Sequence, residues 1–182
     1  MNNYRQEFEQ AIQRTKKLGL SCPKILFSED RQIKDYSKLP EVFLQTIGEV
    51  SSVQQMVAQC LSIHYRLLPA FEKFFDSPVY FTIGWVVDPP HEFHKITEDG
   101  IFSLLQEGIK GSTVNIHAWL TLPSMEILDF VFPTTLAYIQ KKPENYGLAL
   151  TKHPSDFTEG LQYHPMLVGV DFLHKIGAIS LR

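Results

Sequence analysis

A histidine and an aspartate stand six residues either side of Pro123: His117 before it and Asp129 after it. The segment between Asn115 and Asp129 has the alternation of a β-hairpin. In an antiparallel pair turning about Pro123, the two residues would lie directly opposite each other on one face. Their Cβ atoms would then be about 5 Å apart. A carboxylate beside an imidazole fixes the tautomer and supports the imidazolium, which is how a general base is oriented. Such a pair needs a nucleophile to activate. The candidate is Cys60, because a thiolate is reactive and a neighbouring imidazolium or a helix N-terminus favours it. The chain order is then Cys, His, Asp, from residues far apart in sequence that only the fold can gather.

The elements that must carry these residues read as follows. Val53, Met56, Val57, Cys60, Leu61, His64, Leu67, Leu68 and Phe71 have helical spacing, and Ser51 or Ser52 offers an N-cap. Pro69 should kink this helix or end it near Leu67, with a last turn through Phe75. A cysteine on such a stripe reads first as an inert core residue. A helix beginning at Ser52 would also put Cys60 two turns away from the helpful end of the dipole. Val79–Val87 is rich in β-branched and aromatic residues and reads as a strand. Residues 97–109 read as a helix, 113–122 and 125–131 as the hairpin arms, and 133–140 as a short helix. Residues 146–151 read as one more strand. Before Cys60, residues 3–18 form an amphipathic helix, 19–39 a loop and 40–48 a short helix. Met166 to Ile179 is apolar and ambiguous. Helices first, then a mostly antiparallel sheet with helical insertions, gives the α+β class.

The hairpin residues also have plainer readings. Ile116, Ala118, Leu120 and Leu122 mark one face of their strand as core, so His117 points to the other face. There it could be solvated or bonded beneath a loop. Asp129, between Leu128 and Phe130, needs a partner in such apolar company. A turn amide near Thr134 or Thr135 would serve.

Bulk properties narrow the classes. A chain of 182 residues reads as a single domain, 44% hydrophobic, with a formal charge of -3 and no basic block. Nucleic acid is not expected as a partner. Two cysteines, Cys22 and Cys60, are too few for a disulfide framework. The N-terminal segment is charged and lacks an apolar signal core, and no run approaches the roughly 20 residues that span a bilayer. These features point to a cytoplasmic protein that does not engage a membrane. Export without a cleaved signal is compatible with them too. Phosphate loops and dinucleotide fingerprints are missing, and no cofactor is expected.

The arrangement resembles the transglutaminase-like cysteine enzymes, a branch of the papain-like superfamily. The likeness rests on Cys60, then Val79-Tyr80-Phe81-Thr82-Ile83-Gly84-Trp85, then His117-Ala118-Trp119. It continues through Ile127-Leu128-Asp129 to Pro133-Thr134-Thr135. It covers roughly residues 52–135. It implies a helix packed on an antiparallel sheet, with the core over about 50–140 and a helical extension over 1–49. It also implies Cys60 as nucleophile, His117 as base and Asp129 as the orienting carboxylate. The reaction would be acyl transfer from an amide or ester of a protein or peptide, as in a protease, amidase, deamidase or transglutaminase. The backbone N–H of Cys60 would stabilise the oxyanion, with Gln54 and Gln59 as further candidates.

Three rivals stand beside this reading. The flank Val57-Ala58-Gln59-Cys60-Leu61 lacks the small and aromatic residues usual around the family's cysteine. That keeps open an inactive binding or adaptor module on the same fold. His64, one turn from Cys60, is a rival base, although a buried, hydrogen-bonded histidine is the plainer account. His91 and His94 could form a metal half-site, but no third ligand follows at a set spacing, and no metal is expected. A surface loop explains that pair better.

Overall fold

Helical periodicity and β-branched runs lay out the chain in the computed structural model, which describes residues 4–50, 52–57, 59–111, 114–158 and 160–179. Helix α1 (Tyr4–Lys17) comes first. It is followed by α2 (Leu39–Ile47) and α3 (Cys60–Phe75). Strands β1 (Tyr80–Asp88) and β2 (His91–Phe93) precede helix α4 (Glu98–Glu107). Then come β3 (His117–Thr121), β4 (Ile127–Asp129) and α5 (Phe132–Ile139). Strands β5 (Leu150–Lys152) and β6 (Gln162–Val168) and helix α6 (Asp171–Lys175) complete the order. The fold is α+β, and the strand pairs described below are antiparallel. No helix among the described residues is long and apolar enough to cross a membrane.

The chain forms two compact units and passes between them four times: after Lys24, within β1 after Phe81, within β3 after Ala118, and after His153. The first unit holds the residues up to Lys24, Thr82–Ala118 and those from Pro154 onward. In it β1 pairs with β2, Val86 opposite Phe93, and with β6, Val86 opposite Tyr163. Helix α1 covers β6 because Tyr4, Phe8, Ala11, Ile12 and Thr15 recur on one buried face. Polar bonds fix the contact. Thr15 Oγ1 accepts the Val168 N–H at 2.9 Å, and His164 Nδ1 lies 2.7 Å from a Glu7 carboxylate oxygen. A register shift at Ile83/Gly84 leaves Met166 as an extra residue, and its carbonyl takes Arg14 Nη1 at 3.0 Å.

The second unit holds Ile25–Phe81 and Trp119–His153. Strands β3, β4 and β5 pair in that order, with Leu128 opposite both Leu120 and Thr151. Helix α3 buries Cys60, Ile63, His64, Leu67 and Phe71 on a single face and packs with α2. Phe130 is stacked between two rings, 5.3 Å from Phe43 of α2 and 5.4 Å from Phe71 of α3. Such pairs add about 0.5–1.5 kcal/mol each beyond the area they bury.

Several expectations change. Helix α3 begins at Cys60 rather than Ser52; Ser52 instead precedes a 3-10 turn over Val53–Gln55. Ser51 lies outside the described residues, as do Asn3 and Thr113, the first residues expected in the N-terminal helix and the first hairpin arm. Pro69 neither ends nor splits α3, which runs on to Phe75 and closes on Asp76 in the left-handed conformation, φ 47°. An exposed proline can remain in the helix because its ring faces solvent and only one internal bond is forgone. Residues 166–179 resolve into the end of β6 and helix α6. His91–Phe93, expected as loop, adds a short edge strand to β1.

Candidate functional site

The start of α3 and the end of β4 bring two of the three expected catalytic residues into one unit. Cys60 is the first residue of α3, after Gln59 at the N-cap. The chain before it is a 3-10 turn and bonded loop, with the Gln59 N–H donating to Met56 O at 3.0 Å and the Ile63 N–H to Gln59 O at 2.9 Å. The thiol therefore sits at the helix start, where first-turn N–H groups have no partner within the helix. Cys60 is 5% exposed. Gln54 is exposed on the 3-10 turn. Gln59 is also exposed, with its Oε1 3.1 Å from Ser62 Oγ.

Asp129, at the end of β4, is fully buried. Its Oδ1 accepts the N–H groups of Val131 and Phe132, both at 2.9 Å. It thereby organises the entry into α5, where Pro133 presets the first turn. The turn-amide partner expected near Thr134 or Thr135 thus lies two or three residues earlier.

His64 joins these two ends. Its ring is fully buried one turn after Cys60. Nδ1 is 2.9 Å from Cys60 O, and Nε2 accepts the Phe130 N–H at 3.1 Å. A carbonyl can only accept, so Nδ1 carries the proton and Nε2 carries none. The 3.6 Å approach of Nε2 to Asp129 Oδ1 is then a neighbour contact and not an ion pair. With its only proton given to Cys60 O and its lone pair taken by Phe130, His64 is not placed to serve as a base.

The hairpin register differs from the one expected. The turn is closed by Leu122 N–H to Glu126 O and Met125 N–H to Leu122 O, so it centres on Ser124. Leu120 pairs with Leu128 and Thr121 with Ile127, so continuing the ladder puts Trp119, not His117, level with Asp129. Beside this turn lies Glu126, which no sequence pattern singled out. Fully buried, it accepts from Ser124 Oγ at 2.6 Å and from the N–H groups of Gln32 and Ile33 at 2.6 and 3.3 Å. The polar Ser-x-Glu spacing in the turn was its only visible signal.

His117 belongs to the other unit. It is buried rather than solvated. Its ring stacks on His94 at 5.7 Å and lies 6.4 Å from that of Tyr163. His94 has φ 59°, with Nδ1 3.2 Å from Asn115 Oδ1. His91 is exposed on β2. Among the described residues no group of three or more His, Cys, Asp or Glu could hold a metal ion.

A cavity of about 500 Å³ opens in the second unit, lined by Leu39, Phe43, Leu44, Met56, Phe130 and Leu148 among others. Two of its walls adjoin the site in sequence: Phe130 follows Asp129, and Met56 precedes Cys60 by four residues. Comparison with known proteins adds no assignment, since no family model, curated protein or solved structure matches the chain.

Proposed function

We propose that this chain is a cysteine-dependent acyl-transfer enzyme. The observation that supports it most is the place of Cys60 as the first residue of the 16-residue helix α3. A thiol there gains from the helix N-terminus in the charged form that attacks. The resemblance in sequence supplies the rest: His117 as base and Asp129 as the carboxylate that orients it. Because Oδ1 of Asp129 holds two backbone N–H groups, the carboxylate has a fixed plane.

In this mechanism the Cys60 sulfur forms a bond to the carbonyl carbon of an amide or ester, and His117 takes the thiol proton. The oxyanion is met by the backbone N–H of Cys60, with Gln54 or Gln59 as side-chain alternatives. His117 returns the proton to the leaving amine or alcohol as the bond to carbon breaks. Water or an amine then attacks the thioester carbonyl, His117 taking its proton and passing it to sulfur as the carbon–sulfur bond breaks, which leaves an acid or a new amide. The substrate is a protein or peptide, and the apolar cavity offers a place for a large side chain of the acyl donor. No cofactor is needed.

A second reading has its own support. Cys60 is 95% buried, as an inert core thiol would be, which suits a binding or adaptor module of the same fold. Turnover separates the two. A panel of peptide amides and activated esters should be cleaved or transferred by the native chain. Cys60→Ala should abolish this, and His117→Ala should reduce kcat/KM by at least about 100-fold, the size of a general-base contribution. Equal turnover by the native chain and Cys60→Ala would end the enzyme reading.

A further inference from the structure

We infer that His64 is a positioning residue for this reaction, a neutral clamp that sets the start of α3 against the Asp129–Phe130 segment. The inference rests on the proposed role of Cys60. Three observations within one unit carry it. Nδ1–H is donated to the carbonyl of Cys60 itself, at 2.9 Å. Nε2 holds the N–H of the residue that follows Asp129, at 3.1 Å. The ring is fully buried and stands 3.6 Å from the Asp129 carboxylate. One side chain therefore bonds the backbone of the nucleophile and the backbone next to the orienting acid.

A purely apolar residue would fill this space but satisfy neither group, leaving the Phe130 N–H buried without its acceptor. An ammonium or guanidinium could not accept from Phe130 at all. Neutral histidine meets both demands with a planar ring of fixed length. Asp129 faces it at 3.6 Å, and its Oδ1 is already held by the Val131 and Phe132 N–H groups. The clamp thus holds the backbone on which that carboxylate stands against the start of α3.

Three variants separate positioning from mere packing. Glutamine can put an oxygen where Nε2 lies and keep the Phe130 bond. Asparagine can put its N–H₂ near Nδ1 and keep the Cys60 bond. Leucine keeps neither. The readout is the rate of iodoacetamide labelling of Cys60 as a function of pH, followed by mass spectrometry on the full chain, with Tm measured alongside.

His64→Leu should slow labelling at pH 7 by about tenfold or more and move its pH profile upward. His64→Gln and His64→Asn should each restore part of the native profile. If all three variants lose Tm but keep the native profile, His64 is only structural and the inference fails while the enzyme reading stands. If Cys60 of the native chain is not labelled at all, the enzyme reading fails and takes the inference with it. Should His64→Leu prove unfolded, the Gln and Asn variants decide the matter: a native profile in both overturns the clamp.

Discussion

At the scale of single residues, chemistry in this chain is a matter of which bonds are already taken. His64 and Cys60 share a helical face, as their spacing of four implies, so the histidine was legible as buried and bonded. Its partners were not, because one is the backbone of Phe130, 66 residues away. Asp129 was legible as a carboxylate needing partners. Its choice of the Val131 and Phe132 amides depends on how the chain turns into α5. Those two bonds make a graded test. Asp129→Asn keeps an oxygen for both amides and should cost less than about 1 kcal/mol of stability while removing most turnover. Asp129→Ala leaves two buried N–H groups without that oxygen and should cost about 2–4 kcal/mol. Urea unfolding with parallel assays reads both effects. Equal stability losses in the two variants would contradict the assigned bonds.

At the scale of elements, strong periodicity located α1, α3 and β1 but not β2, β6 or α6, and element ends were set by forces periodicity does not carry. The apolar stripe from Val53 to Phe71 is continuous in sequence, yet α3 starts only at Cys60. The residues before it form a 3-10 turn without a side-chain cap, so spacing alone extended the helix seven residues too far. The hairpin was found, but its register centres on Ser124 and not on Pro123. Buried and bonded to the Gln32 and Ile33 amides, Glu126 ties the segment after residue 28 to the hairpin turn. A second tie runs from the Ser28 N–H to Pro123 O at 3.0 Å. Glu126→Ala should therefore lower stability by about 2–4 kcal/mol, since it leaves several buried donors without their acceptor. Denaturant unfolding measures this, and a loss below about 0.5 kcal/mol would mean the carboxylate is not the anchor described.

At the scale of the whole molecule, the order of expected elements pointed to the α+β class, and the fold is α+β. The division into two units was not legible, because two of its four crossings fall inside strands whose sequences show no break. Cys60 and Asp129 lie in one unit and His117 in the other, so the triad is a claim about both. A measurement on the intact chain must therefore carry the central test, and the chain contains its own reference thiol. Cys22 is partly buried, and burial pushes its thiol up from the ordinary value, only partly offset by Lys16. Near neutral pH it stays protonated and labels slowly. The test is iodoacetamide labelling of the folded protein between pH 5.5 and 9, with each cysteine quantified separately by mass spectrometry. The account predicts that Cys60 is alkylated first at pH 7, faster than a free thiol, and that His117→Ala slows this step without changing Cys22. Labelling of Cys22 ahead of Cys60 across the range, with Cys60 modified only on unfolding, would contradict it.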